Sequence, residues 1–99
     1  MKPVQFAKPA SDELTEAVRW YETRRSGLGA EFYAEIVRTI DLIQTHPEIG
    51  PPRVSRLPRR QLRVNRFPYR VVYRLREDDI YVVAVAHTSH RPDYWKNRR

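Results

Sequence analysis

Apolar positions recur at two different spacings along the chain, and the change of spacing divides it into elements. "VQFA" at 4–7 predicts a short strand closed off by Pro9. Ser11 suits a helix N-cap, with Asp12 and Glu13 in the first turn, where the helix dipole favours carboxylates. Leu14, Ala17, Val18 and Tyr21 follow at helical spacing and carry an amphipathic helix to about Arg25. "SGLG" at 26–29 ends it, with Gly27 suited to the left-handed C′ position. A second helix places Leu28, Phe32, Ile36, Ile40 and Ile43 on one stripe and ends at His46-Pro47, since a residue before proline avoids the helical region. So short a connection folds the two helices into a hairpin.

"PEIGPPRVSRLP" at 47–58 holds four of the eight prolines and reads as a loop. "RQLRVNRF", "PYRVVYRLR" and "DIYVVAVAHT" then read as three strands, the last two joined through a tight turn at "REDD", 76–79. Alternation assigns faces. Tyr69, Val71, Tyr73 and Leu75 point one way, and Arg70, Arg74 and Arg76 the other. In the preceding strand Leu62 and Val64 oppose Arg63 and Asn65. The last strand is apolar on both sides, Ile80, Val82 and Ala84 against Val83 and Val85, which suits a central place in the sheet. The expected fold is α+β, one domain over residues 1–99. An N-terminal strand leads into a helical hairpin, packed on one face of a mainly antiparallel sheet that ends in a three-strand meander. Leu14, Val18, Tyr21, Phe32, Ile36 and Ile40 form the inward stripe, and the opposite sheet face is lined with arginine.

Composition narrows the chemistry. The chain has 99 residues, enough for one modest core, and no Cys, which excludes a disulfide framework and a thiolate metal site. The N-terminus lacks a signal-peptide apolar stretch. The longest apolar run, Ile80 to Ala86, falls far short of the ~18 residues that span a bilayer. A cytoplasmic protein without membrane contact is expected. Charge is split unevenly: residues 1–50 hold six Lys/Arg against eight Asp/Glu, a net of −2, and residues 51–99 hold thirteen against four, a net of +9. A basic half on so small a domain is the footprint of a phosphate-rich or acidic partner.

No Gly-rich phosphate loop and no Ser-His-Asp arrangement is present, and His87-x-x-His90 makes a poor metal pair, so neither metal nor cofactor is expected. The remaining cluster is arginines, two histidines and a tyrosine. Metal-free RNA cleavage needs a base, an acid and cations for the developing charge. His serves as acid or base, Tyr as a weaker proton carrier, and Arg as a planar fork for phosphate. The same residues also have structural readings. A histidine at a strand end often serves as a hydrogen-bonder, and Tyr94-Trp95 after Pro92 suits an aromatic plug that packs the C-terminal segment against the sheet.

"VQFAKPASDELTEAVRWYE", "GLGAEFYAEI", "THPEIGPP", "RFPYRVVYRL" and "IYVVAVAHTSHRPDYW", in this order and spacing, resemble the RelE/ParE superfamily of type II toxin–antitoxin toxins, often labelled plasmid stabilisation proteins. The resemblance covers nearly the whole chain. It implies growth arrest, either by ribosome-dependent mRNA cleavage, the RelE-type endoribonuclease (mRNA interferase) activity, or by ParE-type poisoning of DNA gyrase. Carried over residue by residue, it puts Arg70 on the arginine of the active-site strand, Arg63 on one lysine position and Tyr94 on the tyrosine. His90 or Arg91 falls close to the post-strand arginine. Gln61 stands where a second lysine belongs, and His87 replaces a basic residue at the strand end. Since other ribosome-dependent members use a histidine near the chain end, His87 or His90 can substitute. The catalytic candidates are therefore Arg63, Arg70, His87, His90 and Tyr94. The alternative is a non-enzymatic RNA-binding or protein-interaction module using the basic sheet face.

A toxin of this kind implies a cognate acidic antitoxin and a hetero-oligomer with it. Trp20, Tyr33, Val37 and Leu42 lie off the core stripe and offer apolar anchors to that partner. Arg56, Arg59, Arg60 and Arg74 are the candidates for meeting its carboxylates.

Overall fold

The computed structural model describes residues 1–53, 58–91 and 93–98. The elements run β1 (Val4–Phe6), α1 (Lys8–Arg24), α2 (Leu28–Thr45), β2 (Pro52–Arg53), β3 (Arg59–Arg63), β4 (Tyr69–Leu75) and β5 (Ile80–His87). The expected strand, helical hairpin and meander are all present, and β5 is central, parallel to β1 and antiparallel to β4. The sheet order is β1-β5-β4-β3-β2.

Local details differ from the pattern in three places. Helix α1 starts three residues before Ser11: Ala7 is the N-cap in extended conformation, and Pro9 occupies the first turn, where its fixed φ and missing N–H do no harm. Gly27 is left-handed (φ 89°) as expected, but it acts as the N-cap of α2, while Arg25 closes α1. The proline-rich loop also contributes β2, two residues antiparallel to β3, pairing Pro52 with Arg60.

The helices and sheet enclose the main core. Tyr21, Phe32, Ile36 and Ile43 meet Val71, Tyr73, Ile80 and Val82 there, with Leu14, Val18 and Ile40 packed half-buried against them. The stripe read from the sequence is the one that is buried. Gly29 fixes the approach of the two helices: a Cβ on it would lie 2.6 Å from the Val18 carbonyl oxygen. Gly29→Ala is therefore expected to push α2 off α1 and lower the melting temperature, as a thermal melt would show. Tyr73 spans the core to donate to the Pro47 carbonyl (2.8 Å) and accept from Gly50 N–H (3.0 Å), which pins the loop after α2.

Ion pairs tie α2 to the β3–β4 turn. Arg66, at φ 71°, donates to Glu31 (2.9 Å), which also meets Arg25 (3.1 Å). Hydrogen bonds from Arg66 and then Arg25 hold the Glu31 carboxyl below its ordinary value of 4.5. A carboxyl depressed in the folded state contributes stability that is present above its ordinary value and is lost as pH falls through the folded value. The gap in Tm between the parent chain and Glu31→Gln should therefore close as pH is taken below 4.5.

The second sheet face overturns a simple reading of alternation. The register slips between Val72 and Tyr73, which pair with Ala84 and Val82, so Val83 is an extra residue in β5. Past this bulge the faces exchange. Val85, expected beside Val83, joins the main core, while Val83 and Ala84 both join a second cluster with Val72, Ala86 and Trp95. The face is therefore not simply arginine-lined. Its centre is apolar and covered by the C-terminal segment, with Trp95 only 4% exposed, and the arginines stand around it.

Candidate functional site

The pocket of interest forms where β5 ends and the chain turns back over the second face. His87 closes β5 opposite Tyr69, Thr88 N–H bonds to the Pro68 carbonyl, and successive turns return the chain to Tyr94 and Trp95. A pocket of about 150 Å³ results, lined among others by Gln61, Arg70, His87, His90, Arg91 and Tyr94. Four of the five catalytic candidates are thus brought together. Arg63 does not line the pocket but pairs across the ladder with Arg70, so the two guanidinium-bearing strands present exposed cations side by side. Gln61 lies in the pocket wall, a neutral amide at the position where the superfamily resemblance implies a lysine.

The histidines have different surroundings. His87 is half-buried, with its ring edge-on to Tyr69 (5.0 Å between centroids). Its Nδ1 accepts the Ser89 N–H at 3.0 Å, and the Ser89 hydroxyl lies 2.7 Å away. That bond places the ring proton on Nε2 in the neutral form. His90 is exposed and tilts against the Tyr94 ring at 5.1 Å.

Tyr94 is held hardest. Its hydroxyl donates to Glu13 Oε2 at 2.6 Å, and the Arg98 guanidinium lies over its ring at 5.1 Å. Burial first, and then the bond to Glu13, push the phenol pKa well above its ordinary value of 10.0. Beside it, Trp95 is the aromatic plug, seated on Val72, Val83, Ala84 and Ala86. Glu13 and Arg98 escaped the reading of the sequence, which gave Glu13 only a helix-dipole role. A signal was present: Glu13 lies on the inward side of α1, one turn from buried Ala10 and Ala17, where a carboxylate needs a partner.

The residues expected to meet a partner differ in exposure. Trp20, Tyr33, Val37 and Leu42 are all exposed, Trp20 and Tyr33 at 51% each. Arg24 lies over the Trp20 indole at 4.2 Å. The arginines fare differently. Arg59 is 1% exposed and is not a rim residue: the β3 register turns it under Trp95, where it donates to the Arg98 carbonyl. Burial, with the charge of Arg74 adding to it, lowers its pKa below the ordinary value. Arg60 is half-buried and donates to the carbonyls of Glu48 (3.0 Å) and Gly50 (2.8 Å). Arg74 is half-buried, and Arg56 lies outside the described residues. Among the described residues no group of three His, Cys, Asp or Glu side chains could hold a metal, and no helix is long and apolar enough to cross a membrane.

A family model described as the ParE toxin of the type II toxin–antitoxin system, parDE, matches residues 4–92. The chain belongs to the ParE toxin family. As a ParE-family toxin it is the toxin half of a type II toxin–antitoxin system, and an antitoxin is its partner. The ParE-family fold is also matched by a solved structure, the chromosomal ParDE toxin–antitoxin system from P. aeruginosa, at a TM-score of 0.75 and 19% identity, over 90% of this chain and 98% of that one. No curated protein matches the sequence.

Proposed function

We propose that this ParE-family toxin arrests growth by binding DNA gyrase and holding it on broken DNA, and that it does not itself cleave RNA. The Tyr94 hydroxyl carries the reading. A tyrosine that trades protons with a substrate needs its oxygen within reach of the reacting atoms. Here the hydroxyl is spent on Glu13, and burial and the neighbouring carboxylate keep its proton in place. Two further features point the same way. Gln61 puts an uncharged group where a nuclease of this superfamily would place a lysine, and the His87 Nδ1 lone pair is engaged by Ser89. What the site offers outward is charge: Arg70 and Arg91 are exposed beside His90, with exposed Arg63 across the ladder from Arg70, an arrangement suited to gripping the phosphates of gyrase-bound DNA.

Metal-free RNA cleavage is the second reading, favoured by one observation, the gathering of Arg70, His87, His90 and Tyr94 about a single pocket. Purified toxin separates the two. With gyrase and supercoiled plasmid, linear DNA should accumulate, and mRNA on programmed ribosomes should stay whole. Cut mRNA without gyrase-linked breaks would overturn the proposal. The double variant Arg70→Ala/His87→Ala should need roughly tenfold more toxin to give the same breaks, as expected for the loss of contacts worth about 1–2 kcal/mol. Undiminished toxicity in that variant would remove the pocket from the contact surface.

A further inference from the structure

β5 outruns its parallel neighbour. β1 pairs only as far as Phe6 opposite Val82, and Ala7 then turns into α1, so the next backbone groups of β5 on that side face no strand among the described residues. Buried or half-buried backbone groups of this kind need partners. Two side chains supply them. Glu13 Oε1 accepts the Val85 N–H at 3.0 Å, and Arg98 Nη1 donates to the Val83 carbonyl at 3.2 Å. The carboxylate and guanidinium are also bonded to each other, at 2.9 and 3.1 Å. Together they give β5 the acceptor and donor that one residue of a further strand would have given.

The same carboxylate also holds the Tyr94 hydroxyl at 2.6 Å. It therefore joins three parts of the chain: α1, the open edge of β5, and the segment that forms one wall of the pocket. Charge strengthens each of these bonds, because an ionised acceptor makes shorter and stronger hydrogen bonds than a neutral one.

We propose that Glu13 is the positioning residue of the pocket: by standing in for a strand on β5 and clipping Tyr94 and Arg98, it sets where His90, Arg91 and Tyr94 lie relative to Arg70. The effect passes from Glu13 to Tyr94, from the Tyr94 ring to His90 at 5.1 Å, and so to the pocket mouth. Its consequence for growth arrest rests on the gyrase reading above, whereas its consequence for the chain itself does not.

The test uses Glu13→Ala, Glu13→Gln and Tyr94→Phe in the full chain, with amide hydrogen exchange, phenol absorbance titration and gyrase-linked DNA breakage as readouts. In Glu13→Ala the Val85 amide and the amides of residues 94–98 should exchange roughly tenfold faster or more, while those of β4 keep their protection. Glu13→Gln retains an acceptor for Val85 but lacks the charge, so it should fall between. In Glu13→Gln the Tyr94 phenol, identified by its absence from the Tyr94→Phe titration, should ionise at lower pH than in the parent chain. Breakage should weaken in the same order as exchange rises. If Glu13→Ala does not fold, Tyr94→Phe, which removes one hydroxyl, tests the same link and should loosen residues 94–98. Unchanged exchange at Val85 and 94–98 would overturn the positioning role whatever the target is. A loosened segment with undiminished breakage would overturn it for the pocket, and a parent chain inactive on gyrase would count against the gyrase reading alone.

Discussion

Phe32→Ala and Ile36→Ala are each expected to lower the melting temperature by roughly 10 °C or more. Both side chains are essentially inaccessible, at 0% and 1% exposed. The Phe32 ring packs in the aromatic part of the core, with Tyr21, Phe67 and Tyr69 at 5.0, 5.1 and 4.9 Å between centroids. Truncating a buried Phe or Ile to Ala costs about 2–5 kcal/mol, because transfer free energy is lost and the neighbours only partly refill the cavity. Against a total of roughly 5–15 kcal/mol for a small domain, and nearer the low end for one with so modest a core, that is most of the stability. Thermal melts followed by circular dichroism would show it. Parent-like melting of both variants would mean that the helices do not pack through this stripe.

The second large effect is expected at the exposed apolar residues proposed to meet the antitoxin. Trp20, Tyr33, Val37 and Leu42 leave apolar area exposed on the helical hairpin, and Arg24 beside the Trp20 indole puts a cation next to the largest anchor. An acidic antitoxin segment that folds here would draw most of its affinity from the apolar anchors and its on-rate from charge. Trp20→Ala with Val37→Ala should weaken the complex by roughly a hundredfold or more, taking about 2 kcal/mol or more for a central aromatic anchor and a smaller amount for the valine. Neutralising Arg74 with an exposed cation such as Arg24 should slow association and flatten its salt dependence while changing dissociation little. Arg59 has no place in that comparison, since replacing it would undermine Trp95 and the C-terminal segment. Binding kinetics at two salt concentrations would decide. A greater loss from the charge variants than from the apolar pair would show that charge, not the apolar anchors, holds the antitoxin.

Most of the architecture was legible in the sequence because it depends on short-range periodicity. A spacing of three and four residues placed Tyr21, Phe32 and Ile36 inward, and alternation placed Val71 and Tyr73 against them. His46-Pro47 stopped α2 where a proline must stop it, and the doubly apolar β5 lies at the centre of the sheet. The candidate site was legible in part. Arg70, His87, His90 and Tyr94 were singled out for their chemistry, and the return of the chain after β5 brings them to one pocket.

What sequence by itself determined about this protein is therefore the N-terminal strand, the helical hairpin, the three-strand meander, the inward stripe and the family to which the chain belongs. Tertiary structure alone decided three things. The extra residue Val83 exchanged the faces of β5, an event that leaves no mark in a run of valines and alanines that is apolar on both sides. Arg59 went inward because the β3 register and the docking of Trp95 made a place for it, though its composition reads as surface. Glu13 acquired its partners from Val85, Tyr94 and Arg98, the last of them 85 residues away along the chain. Periodicity reports which side of an element a residue occupies. It carries no record of which distant groups the folded chain will set opposite that side, and at the end of β5 those groups shape the candidate pocket.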